Sequence, residues 1–190
     1  MNGNLEFLNR RDCILLLVDI QKPLLDLCIE RDRTVLNTGA LIEVAELFEI
    51  PILCTVHNPD KLGPFLPELV DKISRPKLIG KMEFSCFENG DIVRAIEEIG
   101  RNTLLLAGME GHVCIFHTGV SALRLGYRVH IAQDAVTSRG ASDKQTGMHR
   151  LDRAGAVMSS TEMIIFELLN RAGTSEFRAL LPLLKKLKPE

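Results

Sequence analysis

Short apolar runs separated by helix-like stretches recur six times along this chain, and this alternation restricts its fold more than any other feature. The runs Cys13–Val18 and 103–107 are continuously hydrophobic, which is typical of strands covered on both faces. The remaining predicted strands are residues 52–56, 78–79, 127–133 and 156–158. Strands that alternate with helices favour a parallel sheet with helices on both sides. The sequence therefore predicts a three-layer α/β/α fold around a six-stranded parallel sheet, with a Rossmann-like strand order.

Helical patterns fill the segments between these runs. One long helix is predicted to begin with Thr34 as its N-cap and to end near Phe48, and another is predicted to begin with Asp91 as its cap. Residues 57–77 contain four prolines and a glycine, and a stretch of this kind is more often a functional lid than filler. We therefore expect an irregular lid between the second and third strands.

Composition excludes several classes of function. The chain has 190 residues, which predicts one domain, 1–190, and a formal charge of −2, which argues against nucleic acid as a partner. No apolar run is long enough for a membrane span, and the first twelve residues lack the apolar core of a signal peptide. Five scattered cysteines without a C-x-x-C pair favour a reducing compartment, so we expect a cytoplasmic protein. No glycine-rich nucleotide loop is present, so no nucleotide cofactor is predicted.

The segment Gly108–Cys114 links an apolar strand to a helix and places a thiol on the helix's first turn. Gly108 is predicted to break the strand, and Gly111 to permit a second unusual backbone angle. Unpaired N–H groups and the positive end of the helix dipole favour a thiolate at Cys114. The alternative is a small buried hydrophobic residue, the usual role of a lone cysteine.

Polar residues that follow parallel strands meet at one edge of the sheet, where ligands bind. Asp19, Lys81 and Cys114 occupy such positions, and together they form a chemically coherent set. A carboxylate can take a thiol proton, and an ammonium can stabilise the resulting thiolate. Taken singly, Asp19 could be a helix cap and Lys81 a surface lysine. Their joint placement favours nucleophilic catalysis.

The motifs Val18-Asp19-Ile20-Gln21, Lys81-Met82-Glu83-Phe84-Ser85-Cys86-Phe87 and Gly108-Met109-Glu110-Gly111-His112-Val113-Cys114-Ile115 resemble those of the isochorismatase-like cysteine hydrolase superfamily. The resemblance implies a six-stranded parallel sheet and a homo-oligomer (a dimer, a tetramer or larger). It also implies an Asp-Lys-Cys triad: Asp19 as general base, Lys81 stabilising the thiolate and Cys114 as nucleophile. The amides of Glu110 and Cys114 would form an oxyanion hole beside a cis peptide bond at Met109–Glu110.

The lid departs from one branch of that superfamily. Nicotinamidases bind a metal through an Asp-x-His pair and a second histidine, whereas here the region supplies only His57. One imidazole is too few for a zinc site, so no metal is predicted. The presence of Cys114 favours amide or imide substrates over the vinyl ether of true isochorismate hydrolases. The sequence around Lys61-Leu62-Gly63-Pro64 resembles that of isochorismatase-domain proteins whose substrates are poorly defined.

The candidate substrate pocket consists of His57, Phe84, Phe116 and His117, although the two phenylalanines are equally compatible with the core. The main functional hypothesis is hydrolysis of a small carboxamide through a thioester on Cys114. A second hypothesis is hydrolysis of another acyl or enol-ether bond. A third is a catalytically silent binding or oligomerisation module in which Cys114 is merely redox-sensitive. No nucleic acid or membrane partner is predicted.

Overall fold

The computed structural model describes residues 7–187, and a six-stranded parallel sheet lies at its centre. The strands are β1 (Cys13–Val18), β2 (Ile52–His57), β3 (Lys77–Lys81), β4 (Thr103–Met109), β5 (Arg128–Thr137) and β6 (Val157–Ser159). Their order is β3-β2-β1-β4-β5-β6, and every neighbouring pair is parallel. This is the doubly wound arrangement that changes direction between β1 and β4. The predicted sheet and strand order are confirmed.

Helices cover both faces of the sheet. They are α1 (Lys22–Leu25), α2 (Arg31–Leu47), α3 (Pro59–Leu62), α4 (Pro67–Val70), α5 (Gly90–Ile99), α6 (Cys114–Arg124), α7 (Ala141–Ala154), α8 (Thr161–Leu169) and α9 (Ser175–Leu184). Successive side chains of β1 point to opposite faces. Leu15 and Leu17 therefore pack in one core with α2, α8 and α9, while Ile14 and Leu16 pack in a second core with α5, α6 and α7. The predicted three layers are confirmed.

Several helix boundaries differ from the sequence prediction. Helix α2 begins one turn early because Glu30, in the left-handed region, is its N-cap, and the predicted cap Thr34 is a buried residue inside the helix. Helix α5 is capped by Asn89 rather than Asp91, since the Asn89 side chain accepts hydrogen bonds from the amides of residues 91 and 92. The predicted lid contains the single-turn helices α3 and α4, each of which begins at a proline.

Strand β4 continues through Gly108 to Met109, so the predicted break at Gly108 is wrong. Gly108 has φ 122°, and a Cβ there would lie 2.2 Å from the carbonyl oxygen of Val18. A glycine therefore allows β4 to run close beside β1 while its pairing with β5 shifts between Leu106 and Gly108.

No helix within residues 7–187 combines the length and apolar character needed to cross a bilayer. The first six residues, on which the expectation of no signal peptide partly rests, lie outside the described part of the chain.

Candidate active site

Asp19, Lys81 and Cys114 come together at the carboxyl edge of the sheet. Asp19 follows β1, Lys81 ends β3, and Cys114 begins α6 just after β4. The Lys81 ammonium nitrogen lies 2.5 Å from Oδ2 of Asp19 and 3.6 Å from Sγ of Cys114. All three residues are buried, with Cys114 the most accessible at 7%. The structure thus joins the three residues that the sequence singled out.

Thr55 holds the Asp19 carboxylate in place. The Thr55 hydroxyl donates to Oδ1 of Asp19 at 2.7 Å, and the Asp19 amide donates to the Thr55 carbonyl at 3.1 Å. Sequence reasoning missed Thr55. The sequence feature that could have identified Thr55 is a hydroxyl among the apolar residues of β2, because a buried hydroxyl needs a hydrogen-bond partner.

Burial and charge act in opposite directions on Lys81. Burial lowers the pKa of its ammonium, but the neighbouring Asp19 carboxylate and the Cys114 and Cys86 sulfurs raise it by more, so the net shift is upward. Lys81 is therefore a charged ammonium in contact with both Asp19 and Cys114.

The Cys114 thiol is protonated in the resting site, contrary to the thiolate expected from its position at a helix start. Burial, followed by the Asp19 carboxylate, raises the pKa of Cys114 to about 12, although Lys81 acts to lower it. A proton shift from Cys114 to Asp19 leaves the total charge of the three groups unchanged. The site therefore suits a nucleophile that is deprotonated by its neighbouring base during reaction, rather than one that rests as an anion.

The turn between β4 and α6 is tightly folded. The Met109–Glu110 peptide bond is cis, and the amides of Val113 and Ile115 both donate to the Glu110 carbonyl, at 3.0 and 3.1 Å. Gly111 does not adopt the unusual backbone angle that the sequence suggested. Space favours a glycine here, since a Cβ would lie 3.0 Å from Cγ1 of Val136, and that side chain would have to move by a few tenths of an ångström.

Three successive residues of this turn pair with residues 137–139, at the end of β5 and just after it, in an arrangement that we call the brace. The amide of Gly111 donates to the Thr137 carbonyl at 2.9 Å, Nδ1 of His112 lies 3.1 Å from Oγ of Ser138, and Nε of Arg139 lies 2.7 Å from Oε1 of Glu110. The contact between His112 and Ser138 gives that histidine a structural role in the turn. Sequence reasoning missed residues 137–139.

The four predicted pocket residues form one ring cluster beside Cys114. Phe84 stacks on His57, with ring centroids 5.8 Å apart and planes inclined by 20°, and its centroid lies 6.1 Å from that of His117. Phe116 meets His117 edge-on at 5.8 Å. Phe84 is 52% exposed, so this cluster borders solvent rather than the core.

Gln21 fixes the end of β2 and the start of the lid. Its side-chain Oε1 accepts from the His57 amide at 2.9 Å, and its Nε2 donates to the carbonyls of His57 and Gly63, at 2.9 and 2.8 Å. Gln21 is fully buried, and its amide is occupied by these three bonds. Sequence reasoning assigned Gln21 no role beyond its place in the motif that begins at Val18.

Asp19, His57 and Cys114 each offer one ligand atom within 4.8 Å of the others, the one such group found among residues 7–187. A carboxylate, an imidazole and a thiolate suit a thiophilic divalent cation. The Lys81 ammonium, in contact with two of the three, already provides a positive charge at this position.

A polar cluster at the carboxyl edge of a Rossmann-like parallel sheet is the arrangement of α/β proteins that bind and transform small molecules at that edge. Residues 13–163 match the family model described as Isochorismatase domain, and the chain belongs to that family. Isochorismatase domain-containing protein 2B of Mus musculus is 30% identical over 174 residues, which cover 91% of this chain and 81% of the relative.

Two solved structures are similar over nearly the whole chain. YcaC from Pseudomonas aeruginosa, described with hexane-2,5-diol and covalent acrylamide, has 26% identity and a TM-score of 0.89, with 98% of this chain and 97% of that chain covered. The YcaC gene product from Escherichia coli, described as an octameric hydrolase of unknown specificity, has 27% identity and a TM-score of 0.87, with 98% and 91% covered.

Proposed function

We propose that this chain, as a single domain over residues 1–190, is a cysteine hydrolase that cleaves a small carboxamide through a thioester on Cys114. The observation that carries the proposal is the buried contact of Lys81 with both Asp19 and Cys114, at 2.5 and 3.6 Å. Burying two charges costs several kcal/mol of desolvation, which is on the order of the energy gained from their attraction. A buried ion pair beside a thiol therefore adds little stability, and a binding module would have no need of it.

In the first half of the reaction, Asp19 removes the proton from Sγ of Cys114, and the thiolate attacks the carbonyl carbon of the amide. Lys81 stabilises the thiolate as it forms. Asp19 then gives the proton to the amide nitrogen, the C–N bond breaks, and ammonia leaves behind a thioester. Water hydrolyses the thioester in the second half.

The amides of Glu110 and Cys114 would stabilise the oxyanion formed in each half of the reaction. The double hydrogen bond to the Glu110 carbonyl and the brace both restrain the segment that carries these amides. Donors held in place before the reaction stabilise developing charge more effectively than donors that must reorganise.

The ring cluster supplies the proposed substrate pocket. His57, Phe84, Phe116 and His117 would form its wall, and their aromatic faces suit a small, flat, apolar acyl group. Neither a metal nor another cofactor is part of the proposed mechanism.

The similar proteins support this proposal. Acrylamide is both a small carboxamide and a thiol alkylator, and the Pseudomonas aeruginosa YcaC is described with it covalently attached. Because the Escherichia coli YcaC is described as octameric, we propose that this chain forms a homo-oligomer as well. All five cysteines are free thiols, which supports a reducing compartment such as the cytoplasm.

A panel of small primary amides tests the proposal. Wild-type protein should release ammonia from at least one amide, and Cys114→Ala should release none. Cys13→Ala is the matched control, because Cys13 begins β1 at the opposite edge of the sheet from the triad. Turnover that persists in Cys114→Ala would contradict the proposal. A panel with no substrate, together with binding that does not depend on Cys114, would favour the silent binding module.

A further inference from the structure

Two neighbours, Gln21 and Phe84, hold His57 through three contacts. Gln21 bonds both its backbone amide and its carbonyl, each at 2.9 Å, and Phe84 stacks on its ring. Its register partner across the β2–β3 pair is Lys81, so the imidazole is fixed at the same edge of the sheet as the triad. A side chain held on its backbone and its ring face has little freedom left, which suits a residue that must present an atom at a defined position.

The ring of His57 carries a hydrogen-bonding atom without a partner. Nδ1 is buried and has no hydrogen-bond partner within residues 7–187. A buried polar atom left without a hydrogen bond destabilises the folded state, so such an atom beside a reactive group calls for a ligand. Burial, followed by the charge of Lys81, lowers the pKa of His57, so the imidazole is neutral near neutral pH and keeps an acceptor lone pair.

The spacing of His57 from the triad fits one small bridging molecule. A ring nitrogen of His57 lies within 4.8 Å of both a carboxylate oxygen of Asp19 and Sγ of Cys114. Two hydrogen bonds of about 2.8 Å that meet at one oxygen near the tetrahedral angle span about 4.6 Å between their acceptors. A separation of up to 4.8 Å therefore leaves room for one water that bonds both His57 and Asp19 beside the sulfur.

We propose that His57 is a catalytic residue that binds the hydrolytic water, and before it the departing amine, between its ring nitrogen and the Asp19 carboxylate. This rests on the proposed cysteine hydrolysis. During acylation, one N–H of the leaving amine donates to His57 while Asp19 returns its proton to that nitrogen. During deacylation, one O–H of the incoming water donates to His57.

Each step balances within these groups. In deacylation, the second O–H bond of the water breaks, its proton goes to Asp19, and its oxygen bonds to the thioester carbon. The C–S bond then breaks, and the Cys114 thiolate takes the proton back from Asp19, leaving a carboxylic acid and a thiol. His57 keeps its protonation state throughout. A primary carboxamide fits this role, because its nitrogen carries an N–H that can donate to His57 during acylation, as the water O–H does during deacylation.

The test separates the two halves with p-nitrophenyl acetate, whose nitrophenolate burst reports acylation and whose steady rate reports deacylation. His57→Phe keeps the ring that stacks on Phe84 but removes both nitrogens. We expect it to retain the burst, to slow the steady rate by about tenfold to a hundredfold, and to accumulate acetylated Cys114 in intact-mass spectra. His57→Asn and His57→Gln, which return a polar atom near Nδ1 and Nε2 respectively, should show which one restores deacylation. His149→Phe is the matched control, because it makes the same substitution at an exposed histidine.

Three outcomes would overturn the inference or its basis. If His57→Phe deacylates at the wild-type rate, His57 does not bind the water. If the burst and the steady rate fall together while the melting temperature is unchanged, His57 positions other groups of the site and has no specific role in deacylation. If wild-type Cys114 forms no acetyl-enzyme and Cys114→Ala matches wild type, the proposed hydrolase fails, and the role of His57 fails with it.

Discussion

The ammonium of Lys81 lies 2.5 Å from Oδ2 of Asp19, and the side chains of both residues are almost completely inaccessible to solvent. Removing one member of such a pair leaves a buried, uncompensated charge. Asp19→Asn or Lys81→Met should therefore each lower the free energy of unfolding by about 3–5 kcal/mol. The double variant should recover part of this loss yet release no ammonia, because both catalytic charges are absent.

Urea unfolding and ammonia release measure the two effects separately. A double variant destabilised by the full sum of the single variants would show that the two charges are not coupled. Near-normal turnover in a folded Lys81→Met variant would remove the lysine from the mechanism.

Alkylation of Cys114 should rise steeply with pH. Because burial and then Asp19 raise the pKa of the thiol to about 12, the thiolate fraction should grow about tenfold per pH unit, without a plateau below about pH 10. Asp19→Asn removes one of the groups that raise this pKa, so it should speed alkylation while it slows turnover. Iodoacetamide labelling followed by peptide mass spectrometry measures the alkylation rate of Cys114 in wild type and in Asp19→Asn. Cys28 in the same chain is the internal comparison, and ammonia release measures turnover. A plateau near neutral pH would instead indicate a resting thiolate.

Arg139 should affect turnover although it is exposed and lies outside the triad. Its pairing with Glu110 at 2.7 Å restrains the turn that carries the proposed oxyanion amides. Arg139→Gln should lower kcat by roughly threefold to tenfold with KM and melting temperature unchanged, and Arg139→Lys should restore part of the loss. Arg153→Gln, at an exposed site on α7, is the control for kinetic assays. A rise in KM alone would show that Arg139 contacts the substrate instead.

His130 should make the protein sensitive to acid. Burial, followed by Arg128, lowers the pKa of His130 to about 4, whereas in the unfolded chain it is about 6.5. Between these values the unfolded chain binds a proton that the folded chain does not. Stability is therefore unaffected above about pH 7 and falls by about 3 kcal/mol in total as the pH drops towards 4.

Urea unfolding at several pH values tests this prediction. His130→Leu should flatten the dependence between about pH 6.5 and 4, whereas exposed His149→Leu should not. An unchanged slope in His130→Leu would assign the acid sensitivity to other groups.

Catalysis should not require a metal, because the Lys81 ammonium already supplies positive charge beside Asp19 and Cys114. A chelator should leave turnover intact. Added Cd²⁺ should inhibit by binding Asp19, His57 and Cys114, and the chelator should reverse the inhibition. A stoichiometric metal that a chelator removes together with activity would contradict this prediction.

The sheet and the three converging residues were predictable because both follow from local patterns. The fully buried strand β1 is continuously apolar, and the polar residues Asp19 and Lys81 mark where β1 and β3 end. The supporting contacts were not predictable. The bonds of Thr55 to Asp19 and of Gln21 to His57, and the brace to residues 137–139, join residues far apart in the chain. Their partners depend on strand register and helix placement, which no local pattern encodes.

The register of the parallel strands also determines where the chain tolerates insertions. Val18 pairs with both Thr55 and Gly108, and His57 pairs with Lys81, so the pairing ladder itself sets the spacing between base, ammonium and nucleophile. A one-residue insertion within β2 or β3 would turn the side chains beyond it to the opposite face. A longer surface connection, such as the one after α5, changes none of these pairings. Length variation among relatives that keep this chemistry should therefore concentrate at the amino ends of the strands, away from the catalytic edge.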